Sequence, residues 1–152
     1  MLSKSTFPYR VVLASGSPRR QQFLRDMGLD FEVRLKEVDE VYPDTLKGGE
    51  ITDYLAGLKA DAFNGDIKPG ELLITSDTIV WLGEKAIGKP KDFKQAKHML
   101  EDLSGKVHQV FTSVCLRTVS DNVIFHDVTK VTFAPLHEAD IDHYIYTYKC
   151  RR

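Results

Sequence analysis

Cysteine is scarce: Cys115 and Cys150 are the only two in 152 residues. Two cysteines make no disulfide scaffold, and their spacing makes no metal motif. Charge of one sign is lacking too. Lys and Arg total 21 against 22 Asp and Glu, a formal net charge of -1. That balance favours neither non-specific binding to a nucleic acid polymer nor attachment to an anionic membrane. No apolar run is long enough to span a bilayer, and the N-terminus lacks the apolar core of a signal peptide. A soluble, cytoplasmic protein is the expectation. Three signatures are missing as well: the Walker A loop, the Gly-x-Gly-x-x-Gly dinucleotide fingerprint and the Gly-x-Ser-x-Gly nucleophile elbow. Kinase, NAD-enzyme and serine-hydrolase readings therefore fall behind. There is no internal repeat, low-complexity tract or second-domain linker. Residues 1–152 are expected to form one domain, large enough for a real core.

What is present centres on Val11 to Gly28. Val11, Val12, Leu13 and Ala14 form an apolar run that does not alternate, as in a strand buried on both faces. Ser15, Gly16 and Ser17 make a small-residue turn. Ser17 suits a helix N-cap and Pro18 the first turn. Phe23, Leu24 and Met27 are placed on one helical face, and Gly28 is a helix stop. Strand, tight turn and helix start are the layout of a βα phosphate-binding site. Arg19 and Arg20 sit where the helix dipole mildly disfavours cations. With the amides and hydroxyls they read as a pocket for a multiply charged anion; a solvated helix start is the alternative.

Further along, Phe31, Val33 and Leu35 alternate with Glu32, Arg34 and Lys36, as in a half-exposed strand. Glu37, Asp39 and Glu40 form an acidic loop, which ordinary solvation could explain. Ile51, Leu55, Leu58 and Ala62 recur at helical spacing. Lys59 lies beside that face, where a boundary lysine can carry its ammonium to the edge of a cleft. Leu72 to Trp81 reads as the central strand. Within it, Asp77 separates two apolar runs, a costly place for a carboxylate unless it is paired, coordinated or at a strand end. Such a residue is either a satisfied structural Asp or one that holds a metal or takes a proton.

Gly83 and Glu84 mark a turn, and Gly88, Lys89 and Pro90 lead into a helix. Asp92 with Gln95 suggests a capping box, followed by the apolar face of Phe93, Ala96, Met99, Leu100 and Leu103. Residues 107–118 and 122–133 are predicted to pair as an antiparallel hairpin, with Val110, Thr112, Val114 and Leu116 on one face. His98 reads as a surface residue, and His108 and His126 as structural or exposed. A last helix from about His137 carries Ile141, Tyr144, Ile145 and Tyr148 on a packing face.

Three features converge on one task. The Ser15–Arg20 turn can bind phosphates. Lys59 and Lys89 can neutralise further phosphate charge. Asp77, with one or more of Glu37, Asp39 and Glu40, can place a divalent cation and activate water. Splitting a phosphoanhydride needs these parts.

The segments Leu13-Ala14-Ser15-Gly16-Ser17-Pro18-Arg19-Arg20, Ser76-Asp77-Thr78-Ile79-Val80, Gly88-Lys89-Pro90 with Asp92, and Leu103-Ser104-Gly105 with His108-Gln109-Val110 occur in one order. In this the chain resembles the Maf family of nucleoside triphosphate pyrophosphatases. The resemblance implies an α/β fold like that of Maf and inosine triphosphate pyrophosphatases: an elongated mixed sheet, flanking helices and a cleft between two lobes. It implies hydrolysis of a nucleoside triphosphate, dTTP and UTP by its pattern, to monophosphate and pyrophosphate. It further implies a divalent cation (Mg²⁺ or Mn²⁺), a homodimer, and an association with septum formation. Asp77 matches the proton acceptor, with Lys59 and Lys89 beside it as catalytic positions. Ser15, Ser17, Arg19, Arg20 and Thr78 are implied to bind substrate, Arg19 and Thr78 at positions linked to substrate choice. Glu40 and Asp77 are implied to hold the metal. The family usually continues into a Lys-Ala-Gly-Ala-Tyr-Gly-Ile-Gln segment that this sequence does not contain. The alternatives are a nucleotide-binding or regulatory fragment with little turnover, or a general phosphohydrolase.

Overall fold

The structure, a computed structural model, describes residues 7–88 and 90–149, with side chains through Tyr144. Among the described residues six strands and four helices follow the order β1 (Arg10–Leu13), α1 (Pro18–Asp26), β2 (Phe31–Val33), α2 (Gly49–Asp61), β3 (Glu71–Leu82), β4 (Lys85–Ile87), α3 (Phe93–Leu103), β5 (Val107–Arg117), β6 (Asn122–Thr132) and α4 (Glu138–Lys149). The sheet order is β2-β1-β3-β5-β6, with β4 on β3. β1 pairs in parallel with β2 (Val11 opposite Phe31) and with β3 (Val11 opposite Leu72), whereas β4 is antiparallel to β3. This is the mixed sheet with flanking helices that the family resemblance implies. Two compact units divide the chain: Met1–Thr78 with Thr112–Asp127, and Ile79–Phe111 with Val128–Arg152.

In the first unit β1 is buried on both faces, and its alternation says why. Val12 joins Ala56, Ala60, Phe63, Leu73 and Cys115 in one cluster, on the α2 side. Val11 and Leu13 turn the other way and pack with Leu24 of α1. A strand covered by helices on both sides has no polar face to keep. In the second unit Leu100 of α3 and Ile141 of α4 form the core, with Ala96, Phe133 and Leu136 against them.

Several local expectations change. On α1 only Leu24 is buried; Phe23 and Met27 are 62% and 51% exposed. Leu24 is the α1 side chain that packs with Val11 and Leu13, with Phe31 and Ile74 of the neighbouring strands against the same cluster. β2 stops at Val33 rather than running to Lys36, because its partner β1 ends at Leu13. One further bond, from the Arg34 amide to the Leu13 carbonyl, closes the ladder. β4 is an additional short strand, joined to β3 by a two-residue turn in which Gly83 takes φ +64°, a region that favours glycine. Gln95 accepts from the Lys91 amide rather than that of Asp92, while Asp92 caps α3 as predicted.

β5 and β6 are sheet neighbours joined through Thr118–Asp121, so they run antiparallel. The deeply buried positions of β5 include Ser113 and Cys115, opposite the face of Val110, Thr112, Val114 and Leu116. Small side chains are needed there because Ala56 and Ala60 of α2 belong to the same layer. His98 is exposed, His108 is buried edge-on against Phe133, and His126 pairs with Asp53. On α4, Ile141 is buried but Tyr144 is half exposed. The side chains of Ile145 and Tyr148 lie outside the described residues. Among the described residues no helix is long and apolar enough to cross a membrane.

Candidate active site

The candidate site lies in the first unit, where β1 ends and α1 begins. The Ala14 amide donates to the Ile74 carbonyl, which ties the start of the turn to β3. Ser15 is buried, and its hydroxyl oxygen accepts the Ser17 amide at 3.2 Å. Ser17 caps α1: its hydroxyl oxygen accepts the Arg20 amide at 3.4 Å and its carbonyl the Gln21 amide. Pro18 fills the first helical position, where a missing N–H is no loss. The local sequence thus builds a helix N-terminus next to the central strand.

Arg20 crosses from α1 to β3. Its guanidinium donates to the Ser76 carbonyl at 3.4 Å and to the Thr78 hydroxyl at 3.1 Å. Burial lowers its pKa from the usual arginine value, against the pull of Asp77 and Glu40, and leaves it a cation. Arg19 points to solvent and makes no hydrogen bond or ion pair among the described residues.

Lys59, in the last turn of α2, is the hub. Its ammonium donates to Asp77 Oδ1 at 2.9 Å and to the Ser76 carbonyl at 3.1 Å, and it pairs with Glu40 Oε1 at 3.0 Å. An ammonium has three N–H bonds, and three oxygens receive them. Asp77 is buried, and its second oxygen, Oδ2, has no hydrogen-bond partner. Burial raises the Asp77 pKa above the ordinary carboxylate value; Glu40 adds to this while Lys59 and Arg20 oppose it.

The structure therefore brings together Ser15, Ser17, Arg20, Glu40, Lys59, Asp77 and Thr78. Of the acidic loop only Glu40 reaches the lysine; Glu37 and Asp39 are exposed. Lys89 lies outside the described residues. Thr112 and Ser113 of β5 belong to the same network and carry no motif. Thr112 shares a hydrogen bond with the Thr78 hydroxyl at 3.1 Å, and the Ser76 hydroxyl donates to the Ser113 carbonyl at 2.8 Å. Their only trace in the sequence is the polar run Thr75-Ser76-Asp77-Thr78 inside an apolar strand, which needs polar partners somewhere.

Comparison with known proteins finds relatives over most of the chain. A family model described as Maf-like protein matches residues 10–151. A protein named dTTP/UTP pyrophosphatase from Flavobacterium johnsoniae is 53% identical over 149 residues, 98% of this chain and 77% of that protein. One of the same name from Phocaeicola vulgatus is 50% identical over 142 residues, 93% of this chain and 74% of that protein. Among solved structures, the Staphylococcus aureus Ham1 protein shares the fold, with a TM-score of 0.58 at 14% identity over 81% of this chain and 71% of that one. The chain belongs to the Maf family.

Proposed function

We propose that the chain hydrolyses dTTP and UTP to the nucleoside monophosphate and pyrophosphate, acting on free nucleotides in the cytoplasm as a homodimer. The names carried by its close relatives support the substrate and the reaction. The observation that carries the chemistry is the Lys59 ammonium bridging Glu40 and Asp77, with Asp77 Oδ2 buried and unbonded beside the Ser15–Arg20 turn. Exposed Val123 and Phe125 on β6, the last strand in the sheet order, support self-association.

In this reading Ser15, the amides near Ser17, and Arg19 and Arg20 hold the triphosphate tail. Thr78, oriented by Arg20, contributes to substrate choice. Among the described residues no three His, Cys, Asp or Glu side chains cluster as a metal site. Two carboxylates suffice for Mg²⁺ or Mn²⁺ when phosphate oxygens and water complete the shell, and the orphaned Asp77 Oδ2 with Glu40 is such a donor pair. The bound cation supplies charge neutralisation at the phosphates. Asp77 takes a proton from water as the water oxygen attacks the α-phosphorus. The bond from that phosphorus to the bridging oxygen breaks, and the electron pair leaves on pyrophosphate. Lys59 and Lys89 offset the charge that develops there. A raised pKa makes Asp77 a better base than an ordinary carboxylate.

Product analysis of the chain with dTTP and Mg²⁺, beside Asp77→Ala, tests this. The expected products are dTMP and pyrophosphate, formed about 10²–10⁴-fold more slowly by the variant. Orthophosphate as the product would indicate a phosphatase. Binding of dTTP by the folded chain without any product would leave a nucleotide-binding protein.

A further inference from the structure

Outside the phosphate turn, the first unit holds a second polar network that the mechanism above does not use. Ser113 of β5 is fully buried, and its hydroxyl oxygen lies 2.6 Å from both Thr52 Oγ1 and Asp53 Oδ1. Both partners belong to α2. His126 Nδ1 of β6 lies 2.9 Å from Asp53 Oδ2 and 3.0 Å from Oδ1. Proton counting sets the directions. A carboxylate only accepts, so the single Ser113 hydroxyl proton goes to Asp53 and His126 donates from Nδ1. The Thr52 hydroxyl is then the donor to Ser113. Three donors thus converge, directly or through Ser113, on the Asp53 carboxylate.

This network meets the reaction site at two places. Ser113 also offers its carbonyl to the Ser76 hydroxyl at 2.8 Å, and the Ser76 carbonyl in turn receives both Lys59 and Arg20. Asp53 lies on the same helix as Lys59, six residues earlier. The clamp between Asp53 and Ser113 therefore fixes α2 against β5, whose Ser113 carbonyl takes the Ser76 hydroxyl of β3, and so sets where the Lys59 ammonium stands relative to Asp77.

We infer that Ser113 and Asp53, backed by His126, are positioning residues for the Lys59–Asp77 pair: they hold the α2 ammonium in register with the carboxylate on β3. The inference rests on the reading that this pair serves hydrolysis. Shape and hydrogen bonding are what the clamp supplies. Asp53→Asn keeps an acceptor for Ser113 and can donate to the other tautomer of His126, whereas Asp53→Ala keeps neither.

Ser113→Ala is the cleanest test, because the freed Thr52 hydroxyl can turn its proton to the Gly49 carbonyl at 3.2 Å and Asp53 still has His126. Steady-state kinetics with dTTP and Mg²⁺ are expected to show kcat reduced about tenfold with KM nearly unchanged. Asp53→Ala should behave alike and Asp53→Asn should stay close to the parent chain. In a Lys59→Met background Ser113→Ala should lower kcat no further, since the group it positions is gone. Full additivity with Lys59→Met, or a loss that only follows the folded fraction, overturns the inference. Backbone amide NMR of Ser113→Ala decides the matter without turnover: shifts at Lys59, Ser76 and Asp77 are expected, and unmoved signals there overturn it. A parent chain that makes no product refutes the hydrolytic reading, and the amide signals then decide the positioning by themselves.

Discussion

The Lys59 ammonium shows how far single residues can be read. Its charge and its place beside an apolar helix face are visible in the sequence; its three acceptors are not, because one of them is the Ser76 carbonyl and another comes from a distant loop. Asp77 was more legible, since a carboxylate amid apolar residues announces that something must compensate it. Glu71 left no such mark. It opens β3, is buried, and takes a two-pronged hydrogen bond from Arg34 together with the Lys68 amide. These donors, the arginine first, hold its pKa at about 2 against an ordinary 4.5. The sign follows from linkage. A depressed carboxylate stabilises the fold fully above pH 4.5, and the contribution fades as pH falls from 4.5 toward 2. Acid unfolding of the parent chain should therefore steepen through that window, and Glu71→Gln should flatten the slope there. Identical slopes in the two proteins would show that the Arg34 pair is not what links stability to acid.

At the scale of elements, the strong periodic segments were legible and the short or close-packed ones were not. The spacing of Ile51 and Leu55 marks α2 and its buried side, and Asp92 marks the start of α3. What the spacing hides is how closely α2 meets its neighbours. A Cβ on Gly49 would stand 2.8–2.9 Å from three ring atoms of His126, and one on Gly57 would stand 3.2 Å from Ile124 Cδ1. Both neighbours are on β6, so α2 is notched where that strand crosses it. Gly49→Ala is expected to destabilise by about 1–3 kcal/mol, because the imidazole must leave Asp53 to make room. Adding His126→Ala should recover part of that loss in a thermal or urea melt. If the second substitution only deepens it, the notch is not made by His126. β4 escaped sequence reading for a different reason: at three residues it is too short to show a period. β2 was legible from its alternation, but its end was not, because that is set by the partner strand.

For the whole molecule, the order of four motifs was enough to indicate the family and the mixed sheet with its flanking helices. The grouping of the site was less visible. Ser15 with Arg20, Glu40, Lys59 and Asp77 come from four separate segments of the first unit, and only the fold brings those segments together. Thr112 and Ser113 join them from β5, across a long sequence separation that no local pattern records. Such contacts are set by strand register rather than by composition. The chemistry proposed for this assembly reduces to one bond: water oxygen to the α-phosphorus of dTTP. Hydrolysis of dTTP in oxygen-18 water, followed by mass spectrometry of both products, reads that bond directly. Heavy oxygen in dTMP and none in the pyrophosphate is the expected result. Heavy oxygen in the pyrophosphate would place the attack on the β-phosphorus and contradict the roles given to Asp77 and Lys59.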